Sequence, residues 1–302
     1  MEVGCLVLDG EGKQFGNIHF ESCGFDLSGI IFLLFNDFPD SNLSGISPQW
    51  LHVTQGLGQV RARIDAAAAV AGRDAAGVTL VAVSKTFPAA AIRAAAAEGQ
   101  RHFGESYVQE ALPKMAEVQA MLAADTESAA SRPPAAAASP QAQPLLRPLV
   151  WHFIGPIQSN KTREIAEHFD WVHGIEREKI ARRLSGQRPA GMPPLNVCIQ
   201  VNVSGEASKS GVAPAEAADL AGLLASLPGL KLRGLMAIPE PGGDPRPRFR
   251  LLRELLAGLN ARGLGLDTLS MGMSGDFEIA IAEGATLVRV GSAIFGKRNH
   301  AK

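Results

Sequence analysis

From residue 79 to residue 290 the chain alternates between short apolar segments typical of strands and alanine- or leucine-rich segments with helical periodicity. Strands that alternate with helices run parallel, and eight of them are the number that closes a (β/α)8 barrel of the TIM type. The alternation therefore predicts an α/β fold with a single barrel. Its predicted strands span residues 79–84, 102–104, 150–154, 171–175, 195–203, 232–238, 268–272 and 286–290.

An open, doubly wound sheet is the alternative arrangement of alternating strands and helices. That fold favours a glycine-rich turn after an early strand, and the turn Ser84-Lys85-Thr86-Phe87-Pro88 has no glycine. Only a short stretch follows the eighth predicted strand, so the outer ring of a barrel lacks its last helix. We expect the helix predicted over residues 50–73 to close that ring.

Two other regions depart from the alternating pattern. Residues 1–49 contain neither alanine nor arginine, and we expect them to form an atypical, weakly ordered N-terminal extension to the barrel of residues 50–302. Residues 123–148 are rich in proline and alanine, which cannot build a packed core, so they are predicted to form a surface insertion.

Composition excludes several classes of function. The formal net charge of −1 gives no field that attracts nucleic acid or an anionic membrane, so a small molecule is the expected partner. Cys5, Cys23 and Cys198 have no paired spacing, which argues against a metal site and a disulfide framework and favours a reducing, cytoplasmic location. The apolar run at residues 30–35 is too short to span a bilayer.

The first predicted strand delivers a lysine, Lys85, at its carboxyl end. An amine at the mouth of a dry barrel is partly desolvated, and desolvation favours the neutral amine that attacks carbonyl groups. Lys85 is therefore a candidate for a Schiff base with a carbonyl ligand. The alternative is a solvated lysine with no role beyond the end of its strand.

Small and hydroxyl residues follow the seventh and eighth predicted strands. Ser274 lies in the first of these loops, and Gly291 and Ser292 lie in the second. In barrels of this type the loops after strands seven and eight commonly bind a phosphate group. A carbonyl-reactive lysine facing a phosphate site predicts pyridoxal 5'-phosphate as the cofactor.

Two further residues are candidates for contact with the cofactor ring. Arg289, at the end of the eighth predicted strand, is placed to hydrogen-bond the pyridine nitrogen, and a permanent cation there disfavours protonation of the ring. The ring would then be a poor electron sink. His152, inside the third predicted strand, either packs against the ring or is a histidine satisfied within the barrel.

Six motifs lie within residues 57–297. They are Ala82-Val83-Ser84-Lys85-Thr86, Phe103-Gly104-Glu105-Ser106-Tyr107-Val108-Gln109-Glu110, Trp151-His152-Phe153-Ile154-Gly155-Pro156-Ile157-Gln158-Ser159-Asn160-Lys161, Gly234-Leu235-Met236-Ala237-Ile238-Pro239, Ser270-Met271-Gly272-Met273-Ser274 and Val288-Arg289-Val290-Gly291-Ser292-Ala293-Ile294-Phe295-Gly296. With these motifs the sequence resembles the pyridoxal phosphate homeostasis proteins (the YggS/PROSC family). The resemblance implies the alanine-racemase-like barrel of fold type III. It also implies that Lys85 carries the cofactor, that Ser274, Gly291 and Ser292 contact its phosphate, and that Arg289 lies near its ring nitrogen.

Three positions differ from the usual pattern of that family. Ser106 stands where asparagine is usual, Gly275 replaces an acidic residue, and Ser292 replaces the commoner threonine but keeps its hydroxyl. Ser106 and Met236 lie within matching motifs and complete the set of candidate cofactor-binding residues.

The resemblance leaves two functions to be weighed. The first is a non-catalytic, monomeric protein that holds pyridoxal phosphate on Lys85, takes part in vitamin B6 homeostasis and delivers the cofactor to apo-enzymes. The second is an amino-acid racemase of the same fold type. Two-base racemisation needs a proton acceptor on each face of the ring, and related racemases take a tyrosine from a separate β domain. We expect no such domain here, and Tyr107 is the single tyrosine of the sequence, so a racemase would lack its second base unless Tyr107 or His152 substitutes. We therefore predict no catalytic residues and no metal ligands.

Overall fold

The computed structural model describes residues 7–8, 14–15, 48–130, 148–206, 210–240 and 242–297. Strands β1 (Val7–Leu8) and β2 (Gln14–Phe15) come first and pair antiparallel. Most of the predicted extension at residues 1–49 lies outside the described residues, so its boundary stays a prediction. Among the described helices, none is long and apolar enough to cross a membrane.

Eight parallel strands form a closed barrel. Each strand pairs with the next one along the chain, and the last pairs with the first to close the ring. The predicted TIM-type barrel is confirmed. Its strands are β3 (Thr79–Val83), β4 (His102–Glu105), β5 (Val150–Phe153), β6 (Trp171–Ile175), β7 (Leu195–Gln200), β8 (Leu230–Met236), β9 (Thr268–Ser270) and β10 (Leu287–Val290).

Helices surround the barrel as its outer layer. The helix before the first barrel strand packs against the two helices that flank the last one, which confirms that it closes the ring. The helix that contains Gly56 lies so close to the last helix that a Cβ on Gly56 would be 2.7 Å from the carbonyl oxygen of Ala293. The helices are α1 (Leu51–Val70), α2 (Ala89–Ala97), α3 (Val108–Ala130), α4 (Thr162–His168), α5 (Glu178–Gln187), α6 (Ala217–Ala225), α7 (Arg246–Ala261), α8 (Phe277–Ala282) and α9 (Ser292–Phe295).

Helix α3 continues eight residues into the predicted insertion. Alanine and glutamate have high helix propensity, so residues 123–130 extend the helix that precedes them. The two-pronged pairing of Arg93 with Asp125, at 2.7 and 2.5 Å, ties this turn to α2. Residues 131–147 of the insertion lie outside the described residues.

Side chains of the barrel strands alternate between two layers, as the twofold strand period requires. Those pointing outward join the helices in one large core, which includes Leu80 and Ala82. A smaller apolar cluster fills the interior of the ring and consists of Val81, Trp171, Cys198, Met236 and Leu287. Burial raises the pKa of the Cys198 thiol to about 12, so this cysteine stays a neutral thiol.

Candidate functional site

A cavity of about 280 Å3 opens at the carboxyl ends of the barrel strands. Lys85, two residues beyond β3, reaches it from one side. Arg289 from β10 lines it together with Gly291 and Ser292, which follow that strand, and Ser274 from the loop after β9 also lines it. Five of the predicted site residues therefore meet at one cavity.

The rest of the cavity wall is apolar or formed by glycine. Val83 and Phe87 flank Lys85 in sequence, and Ile154 follows β5. Such a wall excludes water around a few polar groups, as is usual where small molecules bind. The remaining lining residues are Ile238, Met273, Gly275 and Gly296.

The turn that carries Lys85 is held on one side by buried polar groups. The Ser84 hydroxyl donates to Glu105 Oε1 at 2.7 Å, and Lys114 Nζ donates to the Ser84 carbonyl oxygen at 3.1 Å. Lys114 also pairs with Glu105 at 3.0 Å and with Glu110 at 2.6 Å. We call Ser84, Glu105, Glu110 and Lys114 the lysine-turn cluster.

The same cluster holds the residue that follows Lys85. The backbone N–H of Thr86 donates to Glu110 Oε1 at 2.5 Å. Thr86 has φ +68°, in the left-handed region that β-branched residues rarely adopt. The cluster thus fixes the backbone on both sides of Lys85, and it holds a strained conformation there.

Glu105, like Ser84, is a fully buried member of the lysine-turn cluster. Burial raises the pKa of this carboxyl, and the attraction of Lys114 and the Ser84 hydrogen bond oppose that effect only in part. Its Oε2 is buried with no hydrogen-bond partner. The stability of this arrangement therefore depends on Lys114.

Glycines allow the loops after β9 and β10 to approach the cavity. Gly272 has φ +92°, and a Cβ there would lie 2.6 Å from the Ala280 side chain, so only glycine fits between β9 and α8. A Cβ on Gly291 would lie 3.2 Å from the carbonyl oxygen of Val83. Close contact between the ends of β10 and β3 brings Ser292 near the lysine turn.

Arg289 is a buried cation in the floor of the cavity. One guanidinium nitrogen donates to Ser270 Oγ at 2.6 Å, and the other donates to the Ala237 carbonyl oxygen at 3.0 Å. Burial lowers its pKa to about 10, so the side chain remains charged at neutral pH. These bonds fix the guanidinium and use two of its five N–H donors.

Three of the predicted site residues do not line the cavity. Met236 lies deeper, within the apolar cluster of the barrel interior. Ser106 is buried where its carbonyl oxygen packs against Gly155, at only 2.2 Å from the position of a Cβ on that glycine. His152 is fully buried inside the ring. Their assignment as cofactor-binding residues stays a prediction without support from this geometry.

His152 belongs to a row of hydrogen-bonded side chains inside the barrel. Its Nε2 lies 2.9 Å from His102 Nδ1, and its Nδ1 lies 2.9 Å from His173 Nε2. His173 Nδ1 lies 2.7 Å from Ser270 Oγ, which accepts from Arg289. We call His102, His152, His173 and Ser270 the histidine column. Within the described ranges no cluster of His, Cys, Asp and Glu is arranged to hold a metal ion.

Strand periodicity could have identified Ile154, rather than His152, as the residue of this segment that lines the cavity. Residues two apart on a strand share a face, so Ile154 lies above His152 and reaches the cavity. The sequence motif could not say how deep in the barrel each of the two residues lies.

Residues 56–299 match the family described as alanine racemase, N-terminal domain. A pyridoxal phosphate homeostasis protein of Pseudomonas aeruginosa is 57% identical over 251 residues, which cover 82% of this chain and 96% of that protein. This chain belongs to the pyridoxal phosphate homeostasis protein family. The resemblance inferred from the motifs is thereby confirmed.

Two other members of the pyridoxal phosphate homeostasis family extend the comparison. The protein of Escherichia coli strain K12 is 49% identical over 253 residues, covering 83% of this chain and 98% of its own length. PipY of Synechococcus elongatus, whose structure was solved with pyridoxal phosphate bound, is 34% identical with a TM-score of 0.64. The match covers 81% of this chain and all of PipY.

Proposed function

We propose that this chain binds pyridoxal 5'-phosphate covalently on Lys85 and takes part in intracellular vitamin B6 homeostasis by holding and releasing it. The observation that carries the proposal is the meeting of Lys85, Ser274, Arg289 and the Gly291–Ser292 loop at one cavity. The bound pyridoxal phosphate of PipY supports it.

The residues at the cavity suit the three polar parts of this cofactor. When bound, pyridoxal phosphate supplies an aldehyde, a phosphate and a pyridine ring. Lys85 Nζ forms a C=N bond to the aldehyde carbon, and one water molecule leaves. Ser274 and Ser292 donate their hydroxyls to the phosphate, while Arg289 keeps the ring nitrogen unprotonated.

We further propose that the chain is not a racemase. Racemisation needs proton-transferring groups on both faces of the ring. Tyr107 is 55% exposed and does not line the cavity. Both ring nitrogens of His152 are engaged within the histidine column. This placement supports a role for Lys85 as a tether.

We also propose that the chain acts as a monomer in the cytoplasm and passes its cofactor to apo-enzymes. The near-zero net charge and the lack of paired cysteines support a small-molecule role in a reducing compartment. Light scattering of the purified chain should give a mass near 31.8 kDa. A mass twice as large contradicts the monomer.

Borohydride trapping tests the binding proposal. Purified chain loaded with pyridoxal phosphate and desalted should be yellow, and borohydride should reduce the C=N bond and place the added mass on the peptide with Lys85. Lys85→Ala should abolish the adduct, whereas Lys179→Ala, at an exposed lysine on α5, should not. A colourless preparation, or equal labelling of Lys85→Ala, contradicts the proposal.

Incubation of the loaded chain with L-alanine, followed by chiral analysis, tests the absence of catalysis. We expect no D-alanine above the level found with free pyridoxal phosphate. Turnover above that level would overturn the non-catalytic part and leave the binding part intact.

A further inference from the structure

The histidine column crosses the barrel interior from one pole to the other. His102 is the first residue of β4, and it lines a second cavity, of about 320 Å3, between α1 and the amino ends of β3 and β4. Arg289 lines the cofactor cavity at the carboxyl ends. Four consecutive hydrogen bonds join these two residues through His152, His173 and Ser270.

The histidines of the column are neutral. His152 and His173 are fully buried, and desolvation holds the pKa of each well below its ordinary value. Desolvation also lowers the pKa of His102. A neutral imidazole has one N–H donor and one acceptor nitrogen. His152 and His173 have a partner on both ring nitrogens, so each must donate to one side and accept from the other. The role of His102 Nδ1 follows from that of His152, so the three tautomers are set together.

Packing restricts the rings to these bonds. His152 stacks on Trp171, with ring centroids 5.5 Å apart and planes 14° from parallel. The Trp171 ring is covered in turn by the guanidinium of Arg233 at 4.8 Å. A ring held by stacking cannot turn to find another partner, so His152 keeps both neighbours in the column.

Arg289 sets the direction in which the hydrogen bonds of the histidine column point. It has only donors, so Ser270 Oγ must accept from it, and the Ser270 hydroxyl hydrogen is then available to His173 Nδ1. In the described part of the chain no carboxylate forms an ion pair with Arg289. Turning the acceptor end of every imidazole toward this cation stabilises it, because fixed dipoles act strongly in a water-poor interior.

We infer that the histidine column is one polarised hydrogen-bond chain, directed by Arg289, and that it makes His102 a positioning residue for the guanidinium at the opposite pole. In this direction Ser270 donates to His173 Nδ1, His173 Nε2–H donates to His152 Nδ1, and His152 Nε2–H donates to His102 Nδ1. All three rings then carry their hydrogen on Nε2. The reverse direction places all three hydrogens on Nδ1.

Nitrogen NMR of the full chain without cofactor tests the direction. Ring ¹⁵N–¹H spectra distinguish the two tautomers, and substitution of each column histidine assigns its signals among the seven histidines of the chain. We expect Nε2–H for all three column residues, and a mixture of tautomers in Arg289→Met. An Nδ1–H ring at any of the three column histidines of the unmodified chain overturns the inference, as does an unchanged Nε2–H pattern in a folded Arg289→Met variant.

The positioning role of His102 rests on the proposed function and is tested by binding. His102→Phe removes the acceptor of His152, whereas the Oδ1 of His102→Asn can replace Nδ1. We expect His102→Phe to weaken pyridoxal phosphate binding about 2- to 30-fold and to shift the absorbance of the bound cofactor, with binding and spectrum restored in His102→Asn.

Thr79→Val is the matched control, because Thr79 lines the same second cavity outside the column. It should bind like the unmodified chain. Normal binding by His102→Phe, or equal weakening by all three variants, overturns the positioning role. If the unmodified chain binds no cofactor, the proposed function fails instead, while the NMR result still decides the direction of the chain.

Discussion

The lysine-turn cluster and the surroundings of Arg289 both hold charge in a dry part of the protein, and they stabilise it in different ways. The cluster, between the barrel and its helices, pairs Lys114 with Glu105 and Glu110. Inside the ring, the histidine column presents the neutral Ser270 hydroxyl to Arg289, and the Ala237 carbonyl oxygen accepts a second hydrogen bond from it. Opposite charges are in direct contact within the cluster, whereas neutral groups hold the positive charge of Arg289 beside the cavity.

The difference bears on what each region does for the cofactor. The ion pairs of the cluster fix a backbone, namely the turn around Lys85. Arg289 forms no ion pair among the described residues, although the negative charge of Asp276 attracts it, and its positive charge faces the cavity. Removing one partner should therefore disrupt the cluster more than the column.

Lys114→Met is expected to have the largest effect. It leaves Glu105 buried without its cation, and breaking a buried pair in this way typically costs about 3–5 kcal/mol of unfolding free energy. Urea unfolding measures the loss. Lys179→Met, at an exposed lysine, should change stability little. The double variant Glu105→Gln, Lys114→Met should regain part of the loss, and no recovery would contradict the pairing.

Acidification should destabilise the protein through the column. The column histidines have lowered pKa values in the folded state, so below about pH 6.5 the unfolded chain binds protons that the folded chain does not. For the fully buried His152 and His173 the loss approaches about 1.4 kcal/mol per pH unit each below that pH, and His102 acts in the same direction. The raised pKa values of Glu105 and Asp170 act with the opposite sign, favouring the fold toward acid, but they are two groups against three.

Urea unfolding at pH 7.0, 6.0 and 5.5 measures this dependence. His152→Phe keeps a ring against Trp171 and removes one titrating group, so its slope should be shallower, by up to about 1.4 kcal/mol per pH unit. His168→Phe, which removes an exposed histidine outside the column, is the matched control. Equal slopes for the two variants would show that the column histidines are not held neutral.

Thr86→Gly should have the smallest effect and the opposite sign. Glycine adopts φ +68° without the cost that a side chain incurs, about 1 kcal/mol, and its greater freedom in the unfolded chain offsets part of the gain. We expect unfolding free energy to rise by a few tenths of a kcal/mol. A loss of stability would mean that Thr86 is not strained. Thr126→Gly, inside α3, should instead lower the unfolding free energy, by roughly 0.3 kcal/mol, because glycine is a poorer helix former than threonine.

The sequence predicted the barrel well because its signal is local. Each strand is a short apolar run bounded by helix-forming residues, and eight such runs leave few alternatives. Lys85, Ser274, Arg289, Gly291 and Ser292 were also predictable, since the rule for the active face needs only the order of residues along each strand.

The sequence could not predict contacts that depend on register and depth. His102, His152 and His173 become neighbours only when three strands align, and Met236 lies in the barrel interior rather than at its mouth because of its height along β8. Lys114 reaches Glu105 from a helix face, and nothing in the residue pattern fixes that distance.

The pairing of β10 with β3 also has a consequence for folding. Val81 and Arg289 are register partners across the closing seam, so the lysine turn and its guanidinium come from opposite ends of the barrel sequence. Strands so far apart in the sequence pair late in folding, because closing the long loop between them costs chain entropy. A chain still emerging from the ribosome therefore has the lysine without the site. Binding of the cofactor would then indicate that β10 has paired with β3.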